Sequence, residues 1–273
     1  MGRAAGGNPA GEISARGSIA AAIAVALAPD GIRRTSCRTW LGRAEAAKRR
    51  FSDLPSRAET GGSTLAAIQR GHTPPSARRD KGIVVAVEIV FETHSLTEDN
   101  ENGIATGWLP GRLSARGRAL AAQLGIRYRD TDLAAVFVSD LRRAVETVQI
   151  AFADTPIAIH LDERLRECNY GDLNGCAIAV LTGLRSRHTD LPFPGGQSYR
   201  QVVTATASFL NDLKSRWDDS RVLVVAHSGN KWALDCLLDG KELENLVGSP
   251  FEWKEGWVYV LDRSCSELSQ TKQ

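Results

Sequence analysis

Apolar positions along this chain gather into short runs separated by stretches of helical period, and the alternation begins near Val84. The run Ile89–Phe91 reads as a strand buried on both faces that ends in a polar turn, within VEIVFETHSLTEDN at 87–100. After the Gly- and Pro-broken loop GIATGWLPGRLSARG, Leu120, Leu124 and Ile126 with several alanines predict a helix over 114–129, capped by Ser114. A strand follows at 134–138, then a helix over 140–152 with Ser139 or Asp140 as its cap, then a strand at 157–161. A helix of open limits lies between 177 and 187, and the longest amphipathic helix covers 198–217. Residues 222–226 form a strand, about 230–238 a helix and 257–261 the last strand. Strands alternating with helices predict an α/β fold: a three-layer α/β/α sandwich with a mostly parallel central sheet.

In open α/β sheets reactive groups gather beyond the carboxyl ends of the strands. Two predicted strands end in histidine: His94 follows the first, and His227 follows the run RVLVVA at 221–226. Between them FVSDLRRAVET (137–147) places Arg142 and Arg143 in the first turn of a helix, and RLRECNYGDLNG (164–175) places Glu167 in a glycine-punctuated loop. Adjacent helical residues diverge by about 100°, so the two arginines cannot both point inward. Two imidazoles, a guanidinium and a carboxyl group make a set suited to phosphoryl transfer. The other readings at this point are a metal centre on His94, His227 and Glu167, and a surface Glu167 paired with Arg164 or Arg166. No zinc-type ligand spacing is present.

The order of these pieces resembles the histidine phosphatase superfamily, the phosphoglycerate-mutase-like proteins. That family opens with Arg-His-Gly-x-Thr-x-x-Asn. Here Thr93, His94, Ser95, Leu96, Thr97, Glu98, Asp99 and Asn100 stand in those places, so histidine, threonine and asparagine match while arginine and glycine do not. The family's Ser-x-Leu-x-Arg-Ala-x-x-Thr falls on Ser139, Leu141, Arg143, Ala144 and Thr147, and its Leu-x-Glu-x-x-x-Gly on Leu165, Glu167 and Gly171. The Pro-Gly-Gly-x-Ser segment is 194–198, and the resemblance covers roughly 87–262.

The resemblance implies a metal-independent phosphomonoester hydrolase without cofactor, in which His94 forms a phosphohistidine, Glu167 protonates the leaving oxygen, and His227 assists. A carboxyl group beside a phosphate dianion is pushed toward its protonated form, as a general acid requires. Arg143, Asn100 and Thr97 would bind the phosphoryl group, as would backbone N–H groups at the helix start after His227. Arg143 precedes Ala144 as the pattern demands, which assigns Arg142 to solvent. The short stretch from Glu167 to Gly195 favours a phosphatase over a mutase. Thr93 removes a charged fork of donors, and the nearest cations to replace it are Lys231, four residues after His227, and Arg112 in the loop after His94. If nothing replaces it, a phosphate-ligand binding or regulatory module with weakened turnover is the alternative.

Composition adds boundaries. Of 273 residues, 42% are apolar and 24% charged, enough for one good core. The net charge of +2 divides into a basic arm, 1–82, with 14 Lys/Arg against 6 Asp/Glu, and an acidic remainder with 20 against 26. The organisation expected is a low-order N-terminal extension at 1–82, the catalytic domain at 83–265 and a polar tail at 266–273. Met1 is the only methionine, so the arm also fits upstream sequence attached by a misplaced start, with a valine near residue 84 as the true first codon. The apolar run at 18–29 is too short to span a bilayer. Five cysteines without a Cys-x-x-Cys pair fit a reducing cytoplasm. The expected partner is a small phosphorylated substrate, with neither nucleic acid nor membrane; Cys168, His160 and His188 are expected to be structural, and Trp108, Tyr170 and Tyr199 either to line the mouth of the site or to pack in the core.

Overall fold

The computed structural model describes residues 86–262, so the expectations for the N-terminal arm, the alternative start and the tail lie outside the described residues. Its frame is a five-stranded sheet. In chain order the elements are β1 (Val87–Thr93), α1 (Glu98–Glu101), β2 (Ile104–Ala105), α2 (Ala115–Tyr128), β3 (Ala135–Ser139), α3 (Arg142–Ala151) and β4 (Ile159–Asp162). There follow β5 (Cys176–Ala177), α4 (Ile178–Thr182), α5 (Tyr199–Arg216), β6 (Arg221–Ala226), α6 (Ser228–Leu238), α7 (Leu243–Gly248) and β7 (Trp257–Leu261). The sheet order is β4-β3-β6-β1-β7, with β7 antiparallel to β1 and the other pairs parallel; β2 and β5 form a separate antiparallel ribbon.

The continuous apolar runs are explained by burial on both faces of the sheet. On one face Ile89, Phe91, Val222, Val224 and Ala226 pack under Phe209, Leu210 and Leu213 of α5 and Leu234 of α6. On the other, Val90, Val136, Val138, Leu223 and Val225 pack against Leu124 of α2 and Ala144 and Val148 of α3. Each fully buried aliphatic side chain contributes about 1.5–3 kcal/mol of transfer free energy, and a shift of one residue in any central strand would exchange its two faces. Register is therefore strongly specified. It pairs Thr93 with Ala226 and Val138 with Val225, so β1, β6 and β3 end at one level.

The predicted strands and long helices are present with ends displaced by one or two residues. Two starts differ for a local reason. The helix after β3 begins at Arg142 with Leu141 as its uncapped N-cap, because the Ser139 hydroxyl lies 2.9 Å from His227 Nε2 and the Asp140 carboxylate is spent on Arg166. The helix after β6 begins at Ser228, with His227 as its extended N-cap. The β2–β5 ribbon, α1 and α7 were not anticipated; each is too short to carry a period of its own.

Helix α2 is fitted closely to the turn after β1. A side chain at Gly117 would place its Cβ 1.8 Å from the Leu96 carbonyl oxygen, whereas at Gly183 the nearest atom would be 3.6 Å away. We expect Gly117→Ala to cost about 1–3 kcal/mol of stability and Gly183→Ala to be nearly neutral. Chemical denaturation checks this, and equal midpoints for the two variants would contradict the packing described.

Candidate active site

The common level of the strand ends brings the two histidines together. His94 begins the turn after β1, with its N–H donating to Ala226 O at 2.9 Å, and His227 ends β6 one residue later; their ring centroids lie 5.0 Å apart. From the first turn of α3, Arg143 enters between them and is 3% exposed, while Arg142 faces solvent, as helical geometry requires. Arg143 donates from Nε to His94 Nε2 at 3.1 Å and from Nη2 to Gly107 O at 3.0 Å, with His227 Nδ1 at 3.3 Å from the same Nη2. Its Nη1 is buried without a hydrogen-bond partner.

These contacts settle the protons on the rings. An arginine only donates, so His94 Nε2 is an acceptor, and its Nδ1–H donates to Ser95 O at 2.7 Å. His227 likewise accepts at Nδ1 and donates from Nε2 to Ser139 Oγ at 2.9 Å. Burial first, and the Arg143 charge second, lower the pKa of His94 to about 3 against the opposing pull of the Ser95 carbonyl. The same two causes, with His94 as a third, hold His227 well below its ordinary value. Both imidazoles are thus neutral near pH 7, and His94 presents a lone pair at Nε2.

Glu167 is buried rather than at the surface. Its Oε1 accepts from the backbone N–H of Cys168 at 2.8 Å and of Gly229 at 3.1 Å, and its Oε2 from Ser228 Oγ at 2.8 Å. A Cβ at 229 would stand 2.5 Å from Glu167 Oε1, so a larger residue there would move the carboxylate. The two neighbouring arginines are engaged elsewhere, Arg164 with Asp162 and Asp212 and Arg166 with Asp140 and Glu163. Trp108 bridges the two halves of the site: its indole N–H donates to Glu167 O at 2.6 Å, the Arg166 guanidinium lies 4.8 Å from its ring, and the preceding Gly107 holds Arg143.

Other predicted positions are used differently. Thr97 and Asn100 form a capping box, Thr97 Oγ1 accepting from Asn100 N and Asn100 Oδ1 from Thr97 N, which shapes the turn after His94. Of the backbone N–H groups expected to face a phosphate after His227, that of Gly229 is taken by Glu167. Lys231 and Arg112 are not brought to the histidines. Lys231 reaches Asp235 Oδ2 at 2.5 Å, one turn along α6, and lies 5.3 Å from the Trp257 ring. Arg112 is exposed and pairs with Glu98 at 3.4 Å. In each case a carboxylate nearer in the fold takes the cation. Ser95, standing for the family's glycine, donates its hydroxyl to Gly117 O at 2.6 Å and its N–H to Thr147 Oγ1 at 2.9 Å.

Ser139, read above only as a motif or cap residue, and Ser228, not singled out there, hold His227 and Glu167, and their positions beside the strand ends were the available signal. Tyr170 and Tyr199 are core residues, and Cys168 is buried with its thiol pushed up chiefly by burial. His160 and His188 stack on Phe137 and Phe193. Among the described residues no group of three or more His, Cys, Asp or Glu could hold a metal ion, and no helix is long and apolar enough to cross a membrane.

A model of the histidine phosphatase superfamily (branch 1) matches residues 89–264. The 2,3-bisphosphoglycerate-dependent phosphoglycerate mutase of Cytophaga hutchinsonii is 31% identical over 172 residues, which are 58% of this chain and 80% of that protein. Phosphoglycerate mutase-like protein 4 of Arabidopsis thaliana is 29% identical over 164 residues, 56% of this chain and 71% of that protein. A solved structure of mycobacterial glucosyl-3-phosphoglycerate phosphatase in complex with VO3 aligns with a TM-score of 0.53 at 27% identity, covering 59% of this chain and 85% of that one.

The neutral rings imply a pH dependence. An unfolded histidine titrates near 6.5 and His94 in the fold near 3, so between these values the unfolded chain binds more protons. The stability due to the neutral ring is complete above about pH 6.5 and is lost as pH falls toward about 3. We expect the unfolding midpoint to drop on acidification across this window, and to drop less steeply in His94→Asn. An equal slope in the variant would remove His94 as a source.

Proposed function

Because the chain belongs to the histidine phosphatase superfamily (branch 1), we propose that it is a metal-independent phosphomonoester hydrolase acting through a phosphohistidine at His94. The observation that carries this reading is the Arg143 guanidinium, which meets His94 Nε2 while keeping a buried, unpartnered Nη1. An anion is what that donor lacks. The neutral His94 Nε2, held in its tautomer by Ser95 O, is the group able to attack phosphorus.

In the first half-reaction the Nε2 lone pair forms the N–P bond as the P–O bond to the leaving alcohol breaks. Arg143 passes from Nε2 to the phosphoryl oxygens, where charge spreads in the transition state. Glu167 in its protonated form gives its proton to the leaving oxygen, and Ser228 Oγ can turn to accept from or donate to it. In the second, water attacks phosphorus, its proton passes to the Glu167 carboxylate, the N–P bond breaks, and neutral His94 and inorganic phosphate result. The Ser139 hydroxyl can serve either tautomer of His227. When Arg143 turns to the phosphoryl group, His227 in its other tautomer, with the proton on Nδ1 and Ser139 Oγ donating to Nε2, would donate as well. Asn100 would contribute through Nδ2, since its oxygen is spent on the cap.

The substrate is a small phosphomonoester, and the short Glu167–Gly195 segment favours hydrolysis over transfer to a second site. A cytoplasmic setting agrees with cysteines 168, 176 and 236 being unpaired thiols. One observation favours the second reading, a phosphate-binding module with weakened turnover: Lys231 and Arg112, the expected replacements for the missing arginine charge, are both paired elsewhere.

Assay with an aryl phosphate separates the two. The hydrolase reading expects turnover that is abolished by His94→Ala with the fold retained, and an acid-labile, base-stable phosphoryl label on rapid quenching. Label that persists in His94→Ala would show a different nucleophile, and phosphate binding without turnover would favour the module. Glu167→Gln should slow alkyl phosphates by about a hundredfold or more and nitrophenyl phosphate, whose leaving group needs little protonation, much less. Equal losses on both would make Glu167 structural.

A further inference from the structure

Thr93 stands where the family pattern has arginine, and it is held by a residue 160 positions away. Trp253 Nε1 lies 3.2 Å from Thr93 Oγ1. An indole N–H donates and never accepts, so the threonine oxygen is the acceptor. Its own proton is left to point elsewhere and has no acceptor among the described residues. Thr93 is in register with Ala226 at the level where the strands end, immediately before His94 and beside the first turn of α6.

The Trp253 segment is anchored twice to the end of β1. On the opposite face from Thr93, buried Glu92 accepts from Arg127 Nη2 and from the Tyr128 hydroxyl, each at 2.9 Å, and from the Gly256 backbone N–H. Arg127 also reaches Glu255 at 3.6 Å. Residues 92 and 93, the two that precede the nucleophile, are therefore both gripped by 253–256. Phe251 and Trp253 pack against the core cluster that contains Trp257. An indole fixed in this way sets the direction of the threonine hydroxyl.

We propose that Trp253 is a positioning residue, whose indole N–H orients the Thr93 hydroxyl so that it donates to a phosphoryl oxygen on His94. The pair supplies a neutral donor where the family places a charged one. This rests on the reading of His94 as the phosphoryl acceptor. Accepting from Trp253 also polarises the hydroxyl, since hydrogen bonds in a chain strengthen one another.

The test is a double-mutant cycle on the full-length protein with Thr93→Val and Trp253→Phe, read as kcat and KM on an aryl phosphate and as orthovanadate affinity by calorimetry. Thr93→Val removes a transition-state donor and should lower kcat/KM about a hundredfold, chiefly through kcat. Trp253→Phe keeps the ring and should lower it about tenfold, and the double variant should be no worse than Thr93→Val alone. Thr93→Ser should retain most activity. Wild-type kinetics in Trp253→Phe, fully additive losses, or a Thr93→Ser as slow as Thr93→Val would each overturn the proposal while leaving the hydrolase reading intact. Should the wild-type protein fail to hydrolyse the aryl phosphate, the hydrolase reading falls. The orthovanadate cycle still decides the pair, where coupling supports it and additivity overturns it.

Discussion

The structure depends on a cation buried without a counterion in contact. Arg143 is 3% exposed, and its hydrogen-bond partners are two neutral imidazoles and a backbone carbonyl. Burying an unpaired charge costs several kcal/mol, and that burial is the first cause of the lowered pKa of Arg143, opposed by the more distant charge of Glu167. The surrounding elements hold this arrangement in place. β1 and β6 end in register to present His94 and His227, α3 turns Arg143 inward from its first turn, and the β2–α2 loop offers the Gly107 carbonyl. An anion at the buried, unpartnered Nη1 would offset that cost, which is the ground on which Arg143 is proposed to receive a phosphoryl group.

The same charge organises the proton inventory. Burial first, and Arg143 lying against both rings second, keep each ring neutral, with a lone pair facing the guanidinium and the opposite nitrogen tied to Ser95 O or Ser139 Oγ. Glu167 stands apart, held by three donors from Cys168, Ser228 and Gly229. Trp108 and Gly107, adjacent in sequence, tie the loop carrying them to Glu167 and to Arg143 at once. Glu167 and, through Arg143, His94 are thus joined by one loop although they lie in different segments. A change in this loop would disturb both.

Expectations based on nearness in sequence were the ones that misled. Lys231 lies one turn from His227, but Asp235 lies one turn further on the same face, and a cation pairs with the closest unscreened carboxylate. That competitor was visible in the sequence. Trp253 was not: its contact with Thr93 exists only because β7 runs antiparallel beside β1 and returns the preceding loop to the strand end.

The chain by itself determined the layering, the strand runs, the inward choice of Arg143 over Arg142 and the grouping of His94, Arg143, Glu167 and His227. The layering and the strand runs follow from local period, which short-range sterics and burial impose; the choice of Arg143 and the grouping of the four residues came from the order of motifs, through the family pattern that they resemble. The three-dimensional structure decided what that order leaves free. It set which atom of each ring carries a proton, placed Ser139 and Ser228 behind His227 and Glu167, and put Thr97 and Asn100 in a cap. It also drew Lys231 and Arg112 away to nearer carboxylates. Such outcomes turn on which donor reaches an acceptor first among groups tens of residues apart, and that competition is settled by register and packing rather than by any pattern along the chain.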